Sequence, residues 1–164
     1  MKKLFLGVAF LVHAITAQAI DSVSAELGHG SHGVDLWRVG AQWNQHPEWL
    51  AGSRWDVYWD VSVGSWQGDA GTVHDVGLTP VFRYARAHGP YLEGGIGAHV
   101  LSESHISTDL RFSTRFQFGD HVGAGYRFGR YDLSLRLQHL SNGGMRNPNP
   151  GINFLVMRLQ IPTD

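Results

Sequence analysis

Apolar and polar residues alternate with a period of two along eight segments of the chain, as they do in strands that have one apolar face. In the seventh segment, leucines occupy positions 133, 135 and 137, and polar residues lie between them. Because side chains two residues apart project from the same face of a strand, each segment is predicted to be a β-strand. The eight predicted strands are residues 22–28, 36–44, 55–66, 75–83, 92–101, 112–128, 131–141 and 152–161.

Two all-β architectures produce this alternation, and they differ in the direction of the apolar face. A soluble sandwich or lipocalin-like barrel turns that face inward, whereas a membrane barrel turns it outward to lipid. Charges of both signs on the polar face, frequent Gly and Ala within strands, and an even strand number favour the membrane barrel. We therefore predict an eight-stranded antiparallel transmembrane β-barrel of the bacterial outer membrane, with a soluble lipocalin-like binder as the alternative. The charged residues of the polar face are Glu26, Arg38, Asp56, Asp60, Glu93, Arg115, Arg127, Arg136 and Arg158.

The start of the chain has the features of an export signal. A basic start at residues 2–3 precedes a mostly apolar stretch over residues 4–16, and residues 17–19 read Ala-Gln-Ala, a cleavage site of the A-x-A type. The apolar stretch is too short for a membrane-spanning helix. We therefore expect residues 1–19 to be removed as a signal peptide and residues 20–164 to form a single barrel domain.

The composition excludes several classes of function. The chain has no cysteine, which rules out a disulfide scaffold, thiol catalysis and cysteine metal sites. Its formal net charge of −1 gives no electrostatic footprint for nucleic acid. Its histidines and carboxylates do not combine in a spacing typical of metal sites, so we expect neither a metal ion nor another cofactor.

The predicted topology sets the depth of each strand end. In an even-stranded up-and-down barrel both termini lie on the periplasmic side, so alternate connections face outside. These outer connections are residues 29–33, 67–72, 102–111 and 142–150. The seventh strand therefore ends at the level of the outer leaflet, which in a Gram-negative outer membrane is lipopolysaccharide. Its lipid A moiety carries ester-linked acyl chains at that depth and is the implied substrate.

A candidate catalytic pair lies at the end of the seventh strand. His139 and Ser141 share the face of the three leucines and are therefore predicted to face lipid. A serine hydroxyl beside an imidazole is the minimum for an activated nucleophile. If the following turn is centred near Arg146, His139 lies opposite Asn153 and Ser141 lies opposite Gly151.

These positions suggest roles in ester hydrolysis. Ser141 would attack the acyl carbonyl, His139 would take its proton and return it to the leaving sugar hydroxyl, and Asn153 would orient the imidazole. Asn142 and the backbone N–H of Gly144 are candidates for the oxyanion hole because they directly follow the nucleophile.

Residues 139–153 read His-Leu-Ser-Asn-Gly-Gly-Met-Arg-Asn-Pro-Asn-Pro-Gly-Ile-Asn. This segment resembles the signature of the outer-membrane lipid A 3-O-deacylase family, a His-x-Ser-Asn run followed by Pro-Asn-x-Gly-Ile and a Glu. The resemblance implies an eight-stranded barrel that hydrolyses the ester-linked acyl chain at the 3-position of lipid A. It also implies a Ser–His–Glu triad on the outer surface of that barrel.

The resemblance further implies roles for single residues. The matching positions are His139 as the base, Ser141 as the nucleophile, Asn142 and Gly144 in the oxyanion hole, Asn149 as the Asn of the Pro-Asn pair, and Phe118 as an aromatic residue near the site. The chain departs from the family at Asn153, where the family has Glu. An Asn carbonyl can still hold the imidazole in the required tautomer, but it supplies no negative charge.

The sequence thus leads to one main functional hypothesis, a serine-dependent lipid A deacylase of the outer membrane that acts from its lipid-facing surface. The alternative is a non-catalytic barrel that binds lipopolysaccharide or a partner, and the uncharged Asn153 is its main support. The expected partners are lipid A and the outer membrane, without nucleic acid. The sequence leaves the oligomeric state open, including a homo-oligomer.

Overall fold

The structure is a computed structural model, and it describes residues 19–85 and 87–163. The predicted signal peptide lies outside the described residues except for Ala19. Within the described ranges the helices are the short 3-10 turns Ser31–Gly33 and Glu48–Leu50, and none is long and apolar enough to cross a membrane. The strands are β1 (Ser22–Gly30), β2 (Asp35–Gln45), β3 (Trp55–Gly68), β4 (Gly71–Tyr84), β5 (Gly89–Leu101), β6 (His105–Ser107), β7 (Leu110–Arg111), β8 (Phe116–Phe128), β9 (Tyr131–Ser141) and β10 (Ile152–Pro162).

Eight of the ten described strands close into a barrel whose neighbouring strands are all antiparallel. The order around the barrel is β1, β10, β9, β8, β5, β4, β3 and β2, and the β1–β2 pairing closes it. β6 and β7 form a separate hairpin in the connection between β5 and β8. The predicted eight-stranded antiparallel barrel is confirmed. We call the end where β9 ends and β10 begins the site end, and the opposite end the far end.

Apolar side chains face outward, and polar side chains fill the lumen. On β9, Leu135 is 55% exposed, whereas Arg136 beside it is 5% exposed. This is the arrangement of a membrane barrel and the reverse of a soluble lipocalin-like barrel, so the soluble alternative is wrong. Exposed aromatic rings gather near the far end, where a membrane interface favours them. They belong to Trp55, Tyr84, Tyr126, Phe128 and Tyr131.

Buried ion pairs connect strands across the lumen. The Arg136 guanidinium lies 2.7 Å from a Glu93 oxygen and 3.1 Å from a Glu26 oxygen. It also lies 3.6 Å from an oxygen of Asp60 and donates a hydrogen bond to the Tyr58 hydroxyl at 2.9 Å. These partners belong to β1, β3 and β5, so one side chain ties together strands from around the barrel. Burial of such charges is tolerated because they are paired and hydrogen-bonded.

Replacing Arg136 with methionine is expected to lower the free energy of unfolding by about 3 kcal/mol, because it removes one of the buried cations that balance the buried carboxylates. The loss is limited because Glu26 and Asp60 still pair with Arg158, and Glu93 still pairs with Arg83. The measurement is urea unfolding of the protein in detergent micelles, followed by tryptophan fluorescence. Leu135→Met, on the outward face of the same strand, is the matched control and should unfold as the wild type does. An unchanged unfolding midpoint for Arg136→Met would show that the lumen pairs do not hold the barrel closed.

An apolar core fills the lumen at the site end. It contains the edge-to-face ring pair of Trp66 and Phe154, whose centroids lie 5.1 Å apart. The strand predicted over residues 112–128 begins only at Phe116. Phe112 lies in the connection before β8 and packs inward as part of this core. The core comprises Val34, Leu36, Trp66, Val73, Leu101, Ile106, Leu110, Phe112, Leu140, Ile152, Phe154 and Val156.

The β6–β7 hairpin is fastened to the turn between β3 and β4. The backbone N–H of Thr108 donates to Asp69 Oδ1 at 2.8 Å, and its hydroxyl donates to Oδ2 at 2.7 Å. These hydrogen bonds hold the pKa of the Asp69 carboxyl below its usual value. The site end therefore has an ordered connection over its apolar core.

Candidate active site

Three neighbouring strands bring one group of side chains together on the outer face. His139 on β9 lies opposite Asn153 on β10 and opposite Asp120 on β8. Nearer the site end, Ser141 lies opposite Phe118 on β8. Directly opposed residues share a face of the sheet, so these five side chains all project outward.

The predicted register of the last hairpin is confirmed for His139 and Asn153. The pairing of β9 with β10 ends at Leu140 and Ile152, so Gly151, predicted opposite Ser141, belongs to the connection just before β10. On its other side, Ser141 pairs with Phe118 of β8.

The imidazole of His139 is held by the side chain of Asn153. His139 Nδ1 lies 2.8 Å from Asn153 Oδ1, and an amide oxygen can only accept, so Nδ1 carries the proton of this hydrogen bond. The backbone N–H of Asn153 in turn donates to Ser31 Oγ at 3.2 Å. This arrangement leaves Nε2 of the neutral imidazole unprotonated, which is the tautomer that a general base needs.

Ser141 is half-buried beside this pair. Its Oγ accepts a hydrogen bond from the Gly143 N–H at 3.4 Å. Within the described part of the chain, no hydrogen bond joins Ser141 to His139. Phe118 packs closely against Gly143, where an added Cβ would lie 3.1 Å from the ring. Gly143 has a φ of 63°, so the turn needs a residue without a Cβ both for its conformation and for this approach.

Asn142 is buried and organises the connection between β9 and β10. Its backbone N–H donates to Asn149 Oδ1 at 3.0 Å. Its side-chain amide donates to Ser113 Oγ at 2.9 Å and to the carbonyl oxygen of Arg146 at 2.7 Å. Its Oδ1 accepts a hydrogen bond from the Gly144 N–H at 2.9 Å. The two predicted oxyanion-hole groups therefore contact each other, and Asn149 fixes the backbone between Ser141 and Gly144.

A surface groove of about 410 Å³ lies beside the pair on the outer face. Its apolar wall is formed by Val122, Leu137 and Leu155. His139 and Asn153 line it as well, together with the exposed carboxylate of Asp120. The groove can hold an extended apolar chain along the barrel wall with a polar group at its His139 side. Among the described residues, no group of three or more His, Asp or Glu side chains is arranged to hold a metal ion.

The sequence analysis missed Asp120 and the contact between Gly151 and the imidazole. Asp120 lies two residues from both Phe118 and Val122, and this shared parity would have placed it on the outer face. Gly151 lies against the imidazole: an added Cβ would lie 2.7 Å from His139 Cε1 and 3.3 Å from Nε2. The sequence carried no signal for that approach, because it depends on the path of the connection.

Replacing Gly151 with alanine is expected to lower the rate of the ester hydrolysis predicted from the sequence by about 10²-fold, because a displaced catalytic group loses that order of activity for a shift of about 1 Å. The φ of 69° at Gly151 adds strain for any residue with a Cβ. Gly129→Ala in the far-end turn is the matched control, with a φ of 57° and no atom within 4 Å of the added Cβ. Equal initial rates for the two folded variants on lipid A would contradict the steric role of Gly151.

Comparisons with known proteins agree with this geometry. The family model for lipid A 3-O-deacylase (PagL) matches residues 36–162. The chain is 33% identical to the lipid A deacylase PagL of Pseudomonas aeruginosa, over 99% of each protein. It is 32% identical to the lipid A deacylase PagL of Bordetella bronchiseptica, over 95% of this chain and 93% of that protein.

Solved structures show the same fold. The crystal structure of the outer membrane enzyme PagL matches with a TM-score of 0.76 and 29% identity, over 86% of this chain and 99% of that one. Neisserial surface protein A matches with a TM-score of 0.55 and 14% identity, over 85% and 95%, which shows the barrel fold alone. The family predicted from the 139–153 motif is confirmed, and so is its class, an ester hydrolase in an outer-membrane barrel. The chain belongs to the lipid A 3-O-deacylase (PagL) family.

Proposed function

We propose that this protein removes the ester-linked acyl chain at the 3-position of lipid A, with Ser141 as the nucleophile and His139 as the general base. The observation that carries the proposal is the hydrogen-bonded His139–Asn153 pair beside Ser141 on the outward, lipid-facing surface. The acyl chains of a lipid in the outer leaflet lie beside that surface, so the substrate needs no path through the barrel.

The reaction follows from the positions of the side chains. As Ser141 Oγ attacks the ester carbonyl carbon, its proton passes to His139 Nε2, and the carbonyl electron pair moves to oxygen. When this intermediate collapses, the bond to the sugar oxygen breaks, and His139 returns the proton to that oxygen. A water molecule then attacks the acyl-serine by the same route and releases the fatty acid. The hydrogen bond to Asn153 keeps Nε2 available in each step.

The edge of the His139 imidazole that carries Nε2 faces the connection between β9 and β10. Cε1 and Nε2 are the His139 atoms closest to Gly151, which belongs to the connection at the site end. Ser141 is the residue of β9 nearest that end. Catalytic hydrogen bonds often tighten only when substrate is bound, so we expect the Ser141–His139 bond to form in the complex.

The oxyanion is expected to be bound by groups of the 142–144 turn. The Gly144 N–H lies just past the nucleophile, where an oxyanion hole is required. The Asn142 side chain holds the turn instead of donating to the oxyanion, because it is buried and its amide donates to Ser113 and to Arg146. Gly144 N–H now donates to Asn142 Oδ1. Binding of the developing oxyanion would draw this N–H away from Asn142, while Asn149 continues to hold the turn through the Asn142 backbone.

The neighbouring groove supports a role in acyl-chain binding. Its apolar residues Val122, Leu137 and Leu155 continue from His139 toward the middle of the barrel wall. Phe118 of β8 lies directly opposite Ser141, beyond Asp120 toward the site end. An acyl chain lying in this groove would bring its ester bond to the site end, where Ser141 is located.

Mass spectrometry of lipid A tests the proposed function. The protein is expressed in a Gram-negative host that lacks a lipid A deacylase, and lipid A is extracted from cells with and without it. We expect a new species lighter by one 3-hydroxyacyl group, with the loss located at the 3-position by fragmentation. Unchanged lipid A in cells that contain the folded barrel would contradict the proposal and favour a barrel that only binds lipopolysaccharide.

A further inference from the structure

Asp120 is an acidic residue in an apolar environment. It is exposed on the outer face of β8, between Phe118 and Val122 of the same row. A carboxylate is disfavoured on a lipid-facing surface and is retained there where it has a function. Asp120 lies well inside the strand Phe116–Phe128, so it is not a loop residue that happens to point outward.

Asp120 is directly opposite His139. The β8–β9 pairing joins these two residues, and the β9–β10 pairing joins His139 to Asn153. Side chains at directly opposed positions have Cβ atoms about 4.5–5.5 Å apart. All three line the same surface groove. His139 therefore has an amide on one side, bound to Nδ1 at 2.8 Å, and a carboxylate on the other.

The proposed reaction creates a positive charge between these two neighbours. When Ser141 gives its proton to His139, the imidazole becomes an imidazolium until the proton passes to the leaving oxygen. Asn153 can fix the orientation of the ring, but its amide has no charge with which to stabilise the cation. An anion on the neighbouring strand, directly opposite His139, stabilises it by Coulomb attraction, which is strong where lipid excludes water.

We propose that Asp120 is the positioning residue that supplies the negative charge for His139, while Asn153 supplies the hydrogen bond. The two functions of a single triad acid are thereby divided between β8 and β10. Asp120 neither gains nor loses a proton, because the proton moves only from Ser141 to His139 and then to the sugar oxygen. This inference rests on the proposed function, since it concerns the imidazolium formed in that reaction.

The test is steady-state kinetics of the purified full-length protein in detergent micelles with lipid A as substrate. Asp120→Asn keeps the shape of the side chain and removes its charge. We expect kcat to fall about 10²-fold with KM nearly unchanged, less than the roughly 10⁴-fold loss when a triad acid that also orients the histidine becomes an amide. Asp56→Asn, an exposed aspartate at the far end, is the control and should retain wild-type kinetics.

Restoring the charge from the other side separates an electrostatic role from a structural one. In the double variant Asp120→Asn, Asn153→Glu, the new carboxylate lies opposite His139 on β10. We expect kcat to recover to within about tenfold of the wild type, because position 153 then supplies both orientation and charge. A merely structural role for Asp120 would not be rescued from a different strand.

Different results would contradict the role of Asp120 and the proposed function. An active wild type whose Asp120→Asn variant keeps its kcat, or raises KM alone, overturns the role of Asp120 and leaves the proposed function intact. A double variant whose kcat is as low as that of Asp120→Asn also overturns the role of Asp120 and leaves the proposed function intact. A folded wild type without activity on lipid A overturns the proposed function, and the role of Asp120 with it.

Discussion

Replacing Ser141 with alanine is expected to reduce kcat/KM for lipid A deacylation by about 10⁶-fold, the order lost when a serine protease loses its nucleophile. The barrel should still fold, because Ser141 is half-buried at the outer surface and its Oγ accepts only one long hydrogen bond, from Gly143 at 3.4 Å. The measurement is the initial rate of fatty-acid release from lipid A, with folding checked by migration of unheated protein in gels.

The control for Ser141→Ala is Ser53→Ala, which removes a hydroxyl from the exposed segment before β3 at the far end. That variant should deacylate lipid A at the wild-type rate. Residual activity within about tenfold of the wild type in folded Ser141→Ala would exclude a covalent serine mechanism, because no other nucleophile would replace it without a larger loss.

Replacing His139 with alanine is expected to be almost as damaging as loss of Ser141, because the hydroxyl is a weak nucleophile without a base. The double variant Ser141→Ala, His139→Ala should be no worse than either single variant, since residues that act as a unit have strongly non-additive effects. Rates of fatty-acid release for the three variants, measured on equal amounts of folded protein, check both expectations.

A matched histidine is available for comparison. His74 on β4 also faces outward near the site end, and its Nδ1 lies 2.9 Å from Ser65 Oγ. β8 and β5 separate it from β9, so His74→Ala should keep wild-type activity. If the losses for Ser141→Ala and His139→Ala multiplied in the double variant, the two residues would be acting independently, and the assignment of His139 as the base for Ser141 would be wrong.

The barrel could be predicted because apolar and polar residues alternate with a period of two along each strand. The apolar face of each strand is exposed to lipid, and the polar face lines the lumen. On β9 the row that contains Leu135 lies outside and the row that contains Arg136 lies inside, as expected. The predicted start of the strand 112–128 was wrong, because apolar residues of the connection before it face inward. Phe112 belongs to the apolar core at the site end, so the sequence pattern could not distinguish it from the first residue of a strand.

The site was predictable to the extent that it depends on strand register. His139 and Asn153 pair as their spacing around the turn implied, and the structure adds the 2.8 Å hydrogen bond between them. Partners contributed by β8 could not be found from the last hairpin, because register between β8 and β9 depends on a different turn. This is why Asp120 and the pairing of Phe118 with Ser141 emerged only from the folded barrel.

The site also depends on a connection whose path the sequence pattern does not encode. Gly151 leaves the space in which the imidazole lies, and Asn142 and Asn149 hold the turn that follows Ser141. Periodicity describes only the strands on either side of these residues. Their contributions follow from backbone geometry and hydrogen bonds that form once the strands are paired.

Covalent labelling tests most directly whether Ser141 is an activated nucleophile on the lipid-facing surface. The folded protein in detergent micelles is treated with a long-chain alkyl fluorophosphonate, which reacts with activated serines, and the modified peptide is identified by mass spectrometry. We predict a single adduct on Ser141, formed at the rate at which deacylase activity is lost, and none in the His139→Ala variant. Full loss of activity with the adduct on another residue, or retained activity with Ser141 fully modified, would contradict the mechanism.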